Sequence, residues 1–195
     1  MAIKKILIIG AGQMGSGIAQ VAASAGIQVV LHDIKEEFVS RGLKGIEKNL
    51  AKLVEKGKLS DADKQAVQSL ITGSTDLAAH AGDVDFVVEA IVENFEVKKE
   101  IFAALDKLCP AHTILASNTS SLPITQIAAV TKRPAQVIGM HFFNPVPVMQ
   151  LVEIILGLAT SKETYETTRE LALKLKKSPV KVEDFPGFCG NRIMV

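Results

Sequence analysis

Ile6-Leu7-Ile8-Ile9-Gly10-Ala11-Gly12-Gln13-Met14-Gly15 is the stretch that decides the fold. Four consecutive apolar residues closed by a glycine read as a strand buried on both faces, the habit of parallel sheets. The glycines follow the spacing GxGxxG, which is weak alone because glycine is common. Its surroundings strengthen it. Met14 to Ala25 reads as a helix of small residues ending before Gly26. Gln28-Val29-Val30-Leu31 then forms a second strand that runs into His32-Asp33. Strand, glycine turn, helix, strand and acid within about 30 residues make a βαβ unit that binds a dinucleotide. Gly10 permits the tight turn, Gly12 lets backbone N–H groups reach a pyrophosphate, and Gly15 lets helix and strand pack closely. Gln13 and Met14 open the helix, whose N-terminus carries partial positive charge. Asp33 can accept hydrogen bonds from ribose hydroxyls and would repel a 2′-phosphate, which favours NAD over NADP. A glycine cluster that only packs a helix is the competing reading, and Lys35 bears on the choice of cofactor.

Outward from this unit the pattern repeats. A long helix from Glu36 to about Lys58 carries Leu43, Ile46, Leu50, Leu53 and Val54 on one face. Strands are expected at Val84–Val88, Thr113–Ala116, Val137–Met140, Leu151–Ile155 and Val180–Val182. Helices are expected at about Val97–Leu108, at Pro123–Val130 with Ser120 or Ser121 near its cap, and from Ser161 to about Lys176. Such alternation predicts an α/β fold, a Rossmann-type doubly wound, mostly parallel sheet with helices on both faces.

Composition narrows the function classes. The 195 residues hold 22 Lys+Arg against 21 Asp+Glu, and no tryptophan. A surface charge this balanced does not suit nucleic acid, and aromatic base stacking lacks its residues. No apolar run reaches the roughly 18 residues of a membrane span, and no leader pattern opens the chain. Two isolated cysteines, Cys109 and Cys189, form neither a CxxC nor a disulfide framework. No metal site is expected, and the expectation is a cytoplasmic protein.

Lys44, Lys48, Lys52 and Lys56 recur every four residues on the long helix. Like charges at that spacing repel slightly, and Glu47 and Glu55 relieve this in part. The stripe is either a solvated face or a docking strip for a phosphate-rich tail such as the nucleotide of coenzyme A. Of the histidines, His80 and His112 fall in polar connecting segments. His141 closes a strand, where ligands meet an open α/β sheet. After it, Pro145 and Pro147 should keep the backbone extended and stiff. Glu153 sits inside the apolar run Leu151-Val152-Glu153-Ile154-Ile155, where a carboxylate needs a partner. If the two strands are neighbours, Glu153 can hold the imidazole of His141 and raise its basicity for proton transfer. A purely structural His–Glu pair competes with this. Ser117-Asn118-Thr119-Ser120-Ser121, at another strand end, offers hydroxyls and an amide to a ligand. Glu93 and Lys98, read by themselves, are surface charges.

The glycine motif, Val88-Glu89-Ala90-Ile91-Val92-Glu93-Asn94, the 117–121 run, His141-Phe142-Phe143-Asn144-Pro145 through Glu153, and Pro186-Gly187-Phe188 with Asn191-Arg192 together resemble the 3-hydroxyacyl-CoA dehydrogenase family, its short-chain bacterial members above all. The resemblance implies hydride transfer between NAD and C3 of an acyl-CoA, interconverting 3-hydroxybutyryl-CoA and acetoacetyl-CoA. It implies His141 as general acid/base, Glu153 as its orienting carboxylate, and Ser120 and Asn191 at the substrate C3 oxygen. Glu93, Lys98, Ser120 and Asn144 match cofactor positions; Asn49, Lys52, Lys56 and Ser120 match coenzyme A positions. It further implies an NAD-binding domain over 1–185, with 186–195 beginning a helical domain that the chain lacks and through which the full-length form would dimerise. Low turnover is the consequence expected. A non-enzymatic NAD-binding protein on the same scaffold, and a hydroxyacid dehydrogenase that does not use coenzyme A, are the alternatives.

Overall fold

The computed structural model describes residues 2–185. Strands β1 (Lys5–Ile9), β2 (Gln28–His32), β3 (Ile71–Ser74), β4 (Phe86–Glu89), β5 (Ile114–Ser117), β6 (Val137–Phe142), β7 (Leu151–Leu156) and β8 (Ser178–Glu183) form one sheet, in the order β3-β2-β1-β4-β5-β6-β7-β8. Every neighbouring pair is parallel except β6–β7. The helices are α1 (Gln13–Ser24), α2 (Glu36–Glu55), α3 (Asp61–Ser69), α4 (Leu77–Ala81), α5 (Phe95–Leu108), α6 (Ile124–Ala128) and α7 (Lys162–Lys174). No helix among the described residues is long and apolar enough to cross a membrane.

Strand side chains alternate between two cores. Ile6, Ile8, Val29, Leu31, Val88, Met140 and Ile154 pack with Ile18 and Ala22 of α1, Ile46 and Leu50 of α2, and Leu171 of α7. Leu7, Ile9, Val30, Val87, Leu115 and Ile155 pack with Phe102 and Leu105 of α5 and with Ile124 and Ile127 of α6. Burying a side chain of this size stabilises the fold by about 1.5–3 kcal/mol. Because α1 leaves β1 toward one face and α5 leaves β4 toward the other, a crevice opens between the carboxyl ends of these adjacent strands.

Several expectations need correction. The segment from 59 to 81 holds α3, β3 and α4, none of them anticipated; His80 lies half-buried in α4 rather than in a connecting segment. Neither Ser120 nor Ser121 caps α6. Its first amides, from Ile124 and Thr125, donate to the carboxylate of Asp184 at 3.0 and 2.7 Å. Residues 145–148 turn instead of extending. The Asn144–Pro145 peptide is cis, and the amides of Val148 and Met149 both donate to the Pro145 carbonyl. Pro186-Gly187-Phe188, Cys189, Asn191 and the rest of the 186–195 segment expected to begin a helical domain lie outside the described residues.

Candidate active site

The β1–α1 turn is shaped by its glycines. Gly10 has φ +103°, and a Cβ there would stand 2.5 Å from the Ala90 carbonyl oxygen. A Cβ on Gly15 would stand 1.8 Å from the Gly10 carbonyl oxygen, so this glycine seats the helix on the strand. At Gly12 a Cβ would meet nothing within 4 Å: that face is open. Gly12 is also the N-cap of α1, and among the described residues no side chain caps the helix, so the first-turn amides are left for a ligand. Asp33 braces the same turn, its carboxylate accepting from the amides of Ala11 and Ile34, each at 2.7 Å. An open backbone cradle, an uncapped helix and an acid at the end of β2 fit an NAD pyrophosphate and ribose.

Three cavities meet at this turn. One of about 690 Å³ runs from Gly10, Gly12, Gln13 and Met14 past Asp33 into an apolar slot between Ile34, Val92, Val97 and Ile101. A flat base suits such a slot. A second, of about 340 Å³, shares Met14 and Ile91 with the first and holds Glu93, Asn118, Ser120, His141 and Asn144. A third, of about 490 Å³, lies along α2 between Arg41, Lys48, Asn49 and Lys52 and the Pro145–Pro147 turn. Gln13 joins them by donating to Asn144 Oδ1 at 3.0 Å. The basic stripe is thereby divided: Lys48 and Lys52 face a cavity, while Lys56, the C-cap of α2, does not line it. Arg41, which sequence reasoning passed over, completes the cationic wall.

His141 and Glu153 are register partners across the antiparallel β6–β7 pair, so their side chains emerge on one face. Nδ1 of His141 and Oε2 of Glu153 lie 2.8 Å apart. Glu153 is 2% exposed and His141 8%, with the imidazole ring 4.6 Å from the Phe143 ring, centroid to centroid. That geometry brings the pair together at the crevice, as the proton-transfer reading requires.

The 117–121 run serves the protein more than a ligand. Ser117 Oγ donates to Glu89, Thr119 Oγ1 and Ser121 Oγ donate to Glu93, and Asn118 Oδ1 accepts from the Phe142 amide. Asn118 and Ser120 are the members of the run that line the cavity with His141. Lys98 is no surface charge: it is 1% exposed, with Nζ 2.5 Å from Glu89 and 3.3 Å from Glu93. Burial alone would raise the Glu93 carboxyl. The Thr119 hydroxyl, the Lys98 ammonium, and the Ser121 and Ser120 donors outweigh it and hold the group below its ordinary 4.5.

Sequence reasoning missed Glu89. Yet it ends an apolar strand, Phe86-Val87-Val88-Glu89, which is the same signal that singled out Glu153.

Residues 5–185 match the family described as 3-hydroxyacyl-CoA dehydrogenase, NAD binding domain. A Bacillus subtilis protein named "Probable 3-hydroxybutyryl-CoA dehydrogenase" is 56% identical over 197 residues, spanning 100% of this chain and 68% of its own. The human mitochondrial hydroxyacyl-coenzyme A dehydrogenase is 48% identical over 198 residues, spanning 99% of this chain and 63% of its own. The crystal structure of (S)-3-hydroxybutyryl-CoA dehydrogenase PaaH1 from Ralstonia eutropha superposes with a TM-score of 0.96 at 44% identity, over 99% of this chain and 68% of that one.

Proposed function

We infer the function from where the chain belongs: it is a member of the 3-hydroxyacyl-CoA dehydrogenase family, matched in its NAD-binding domain, and as such an NAD-dependent oxidoreductase. The reaction we propose interconverts (S)-3-hydroxyacyl-CoA and 3-oxoacyl-CoA, with 3-hydroxybutyryl-CoA and acetoacetyl-CoA as the pair. The His141–Glu153 contact at the mouth of the nucleotide crevice is the observation that carries it. When bound, the nicotinamide supplies a hydride donor or acceptor. The rest falls to side chains. His141, paired through Nδ1 with Glu153, serves the substrate C3 oxygen as acid and base, donating a proton in the reducing direction and removing it in the other. Ser120 stands in the same cavity, where its hydroxyl can stabilise charge on that oxygen. Asn191 shares this task in our reading, although it lies outside the described residues.

Gly10, Gly12, Gln13, Met14, Gly15 and Asp33 hold the dinucleotide, and Glu93 and Asn144 border its far end. Lys98 acts from beneath, through Glu93. Arg41, Lys48, Asn49 and Lys52 take the phosphates of coenzyme A. The chain spans 68% of the length of the Bacillus subtilis relative. The test follows NADH oxidation with acetoacetyl-CoA, beside His141→Ala. Turnover that survives unchanged in that variant refutes the assignment of the proton to His141.

A further inference from the structure

We propose that the buried cluster Glu89–Lys98–Glu93 places one net negative charge beneath the nicotinamide end of the site, and that Glu89 is the positioning residue that sets this charge and, with it, a preference for the oxidised cofactor. The inference rests on the cofactor placement proposed above and asks what the cluster adds to it.

Glu89 is fully buried and lines none of the three cavities described above. Its Oε1 accepts from Lys98 Nζ at 2.5 Å and from the Ile91 amide at 2.8 Å; Oε2 accepts from Ser117 Oγ at 2.6 Å. The donors come from α5, from the chain just after β4 and from β5, so one carboxylate ties three segments. Burying a carboxylate is costly unless such partners meet it. No step of the proposed reaction uses it.

The ammonium of Lys98 is shared, with Glu93 Oε2 at 3.3 Å as its second contact. One cation between two carboxylates leaves the cluster at minus one. Glu93 carries that charge outward: its side chain is 36% exposed and lines the cavity with Ser120 and His141. Its Oε1 accepts from the amides of Ser120 and Ser121 at 3.0 and 3.2 Å and from the hydroxyls of Thr119 and Ser121. Those donors spread the charge and fix its position without neutralising it.

Oxidised nicotinamide is a cation and the reduced ring is neutral. A fixed negative charge beside the ring therefore stabilises one form and leaves the other nearly untouched. On the protein, this tilts the equilibrium toward reduction of the 3-oxo group. Were Glu89 absent, Lys98 and Glu93 would cancel and the bias would vanish.

The test measures dissociation constants for NAD⁺ and NADH on the wild type, Glu89→Gln and Glu93→Gln, the last at a side chain that is 36% exposed. Removing one charge should lower the preference for NAD⁺ over NADH on the order of fivefold in each variant. A cluster that only braces the fold would weaken both nucleotides together, and an unmoved ratio in a folded Glu89→Gln overturns the proposal. If Glu89→Gln does not fold, the ratio in Glu93→Gln decides in the same way. A wild-type chain that binds neither nucleotide overturns the cofactor placement and this inference with it, whereas binding with an unmoved ratio overturns the inference alone.

Discussion

One methyl group placed at Gly12 or at Gly15 should break two different things. At Gly15 the new Cβ would lie 1.8 Å from the Gly10 carbonyl oxygen and 2.9 Å from its carbon. Ordinary contact needs well over an ångström more, and the obstacle is backbone, so α1 must lift off β1. Overpacking of this kind costs about 3 kcal/mol or more. The gain from replacing a helical glycine by alanine, about 1 kcal/mol, offsets only part of it. A net loss of about 2 kcal/mol lowers Tm by about 4–8 °C for a domain of this size. At Gly12 the same methyl meets no atom within 4 Å, and φ is −69°, which alanine accepts. Stability should move by about 0.5 kcal/mol, since alanine is a slightly poorer N-cap than glycine. The methyl instead occupies the open side of the cradle, where the pyrophosphate must approach the amides. Losing one hydrogen bond to a charged group costs about 1.5–3 kcal/mol, which weakens NADH binding about 10- to 100-fold. Circular dichroism melts suit a chain without tryptophan, and NADH fluorescence gives the binding arm. If Gly12→Ala melts as low as Gly15→Ala, or binds NADH as the wild type does, the separation of packing from binding is wrong.

Glu153→Gln keeps the shape of the partner and removes its charge; kcat for acetoacetyl-CoA reduction should fall about 100-fold while the NADH dissociation constant stays within about twofold. A kcat within about threefold of wild type would reduce the pair to packing. His32 is 5% exposed, and among the described residues its Nδ1 finds no hydrogen-bond partner. Burial, opposed by Asp33, the Ser74 carbonyl and Asp76 and aided by His80, holds its pKa below 6.5 in the folded chain. The unfolded chain then takes the proton first as pH falls, so stability drops from about pH 6.5 down to the folded value. His32→Val should flatten that limb in denaturant titrations at about pH 7 and pH 5, and an unchanged slope rejects the assignment. Burial, against the nearby Arg133 and with the help of Asp106, pushes the Cys109 thiol up to about 11. At pH 8 about one thiol in a thousand is ionised, so peptide mapping should find Cys109 unalkylated until the chain unfolds. Rapid labelling of the native protein would contradict this.

What could be read from the residues, and what could not, follows from distance along the chain. The β1–α1–β2 unit declares itself because every cue lies within 33 residues: an unbroken apolar run, glycines at fixed spacing, an acid at the next strand end. The stretch from 59 to 81 was unreadable for the opposite reason. Helix α3 buries Val67 and little else, and β3 is a half-buried edge of four residues, so neither shows a period. The acid that caps α6 is Asp184, which no local pattern can place. The buried charges fall between these cases. Glu153 was identified because a carboxylate inside an apolar strand needs a partner, and pairing with β6 supplied one. Glu89 poses the same demand and admits the same solution. Alternation puts it on the side of Val87 and Leu115, the face that α5 covers. The compensating cation must then come from the first turns of α5, where Lys98 stands. Reading the strand's parity together with the next helix would have found this ion pair before any coordinates. A charge in an apolar strand is thus a directional signal: it says which face holds its partner as well as that a partner exists.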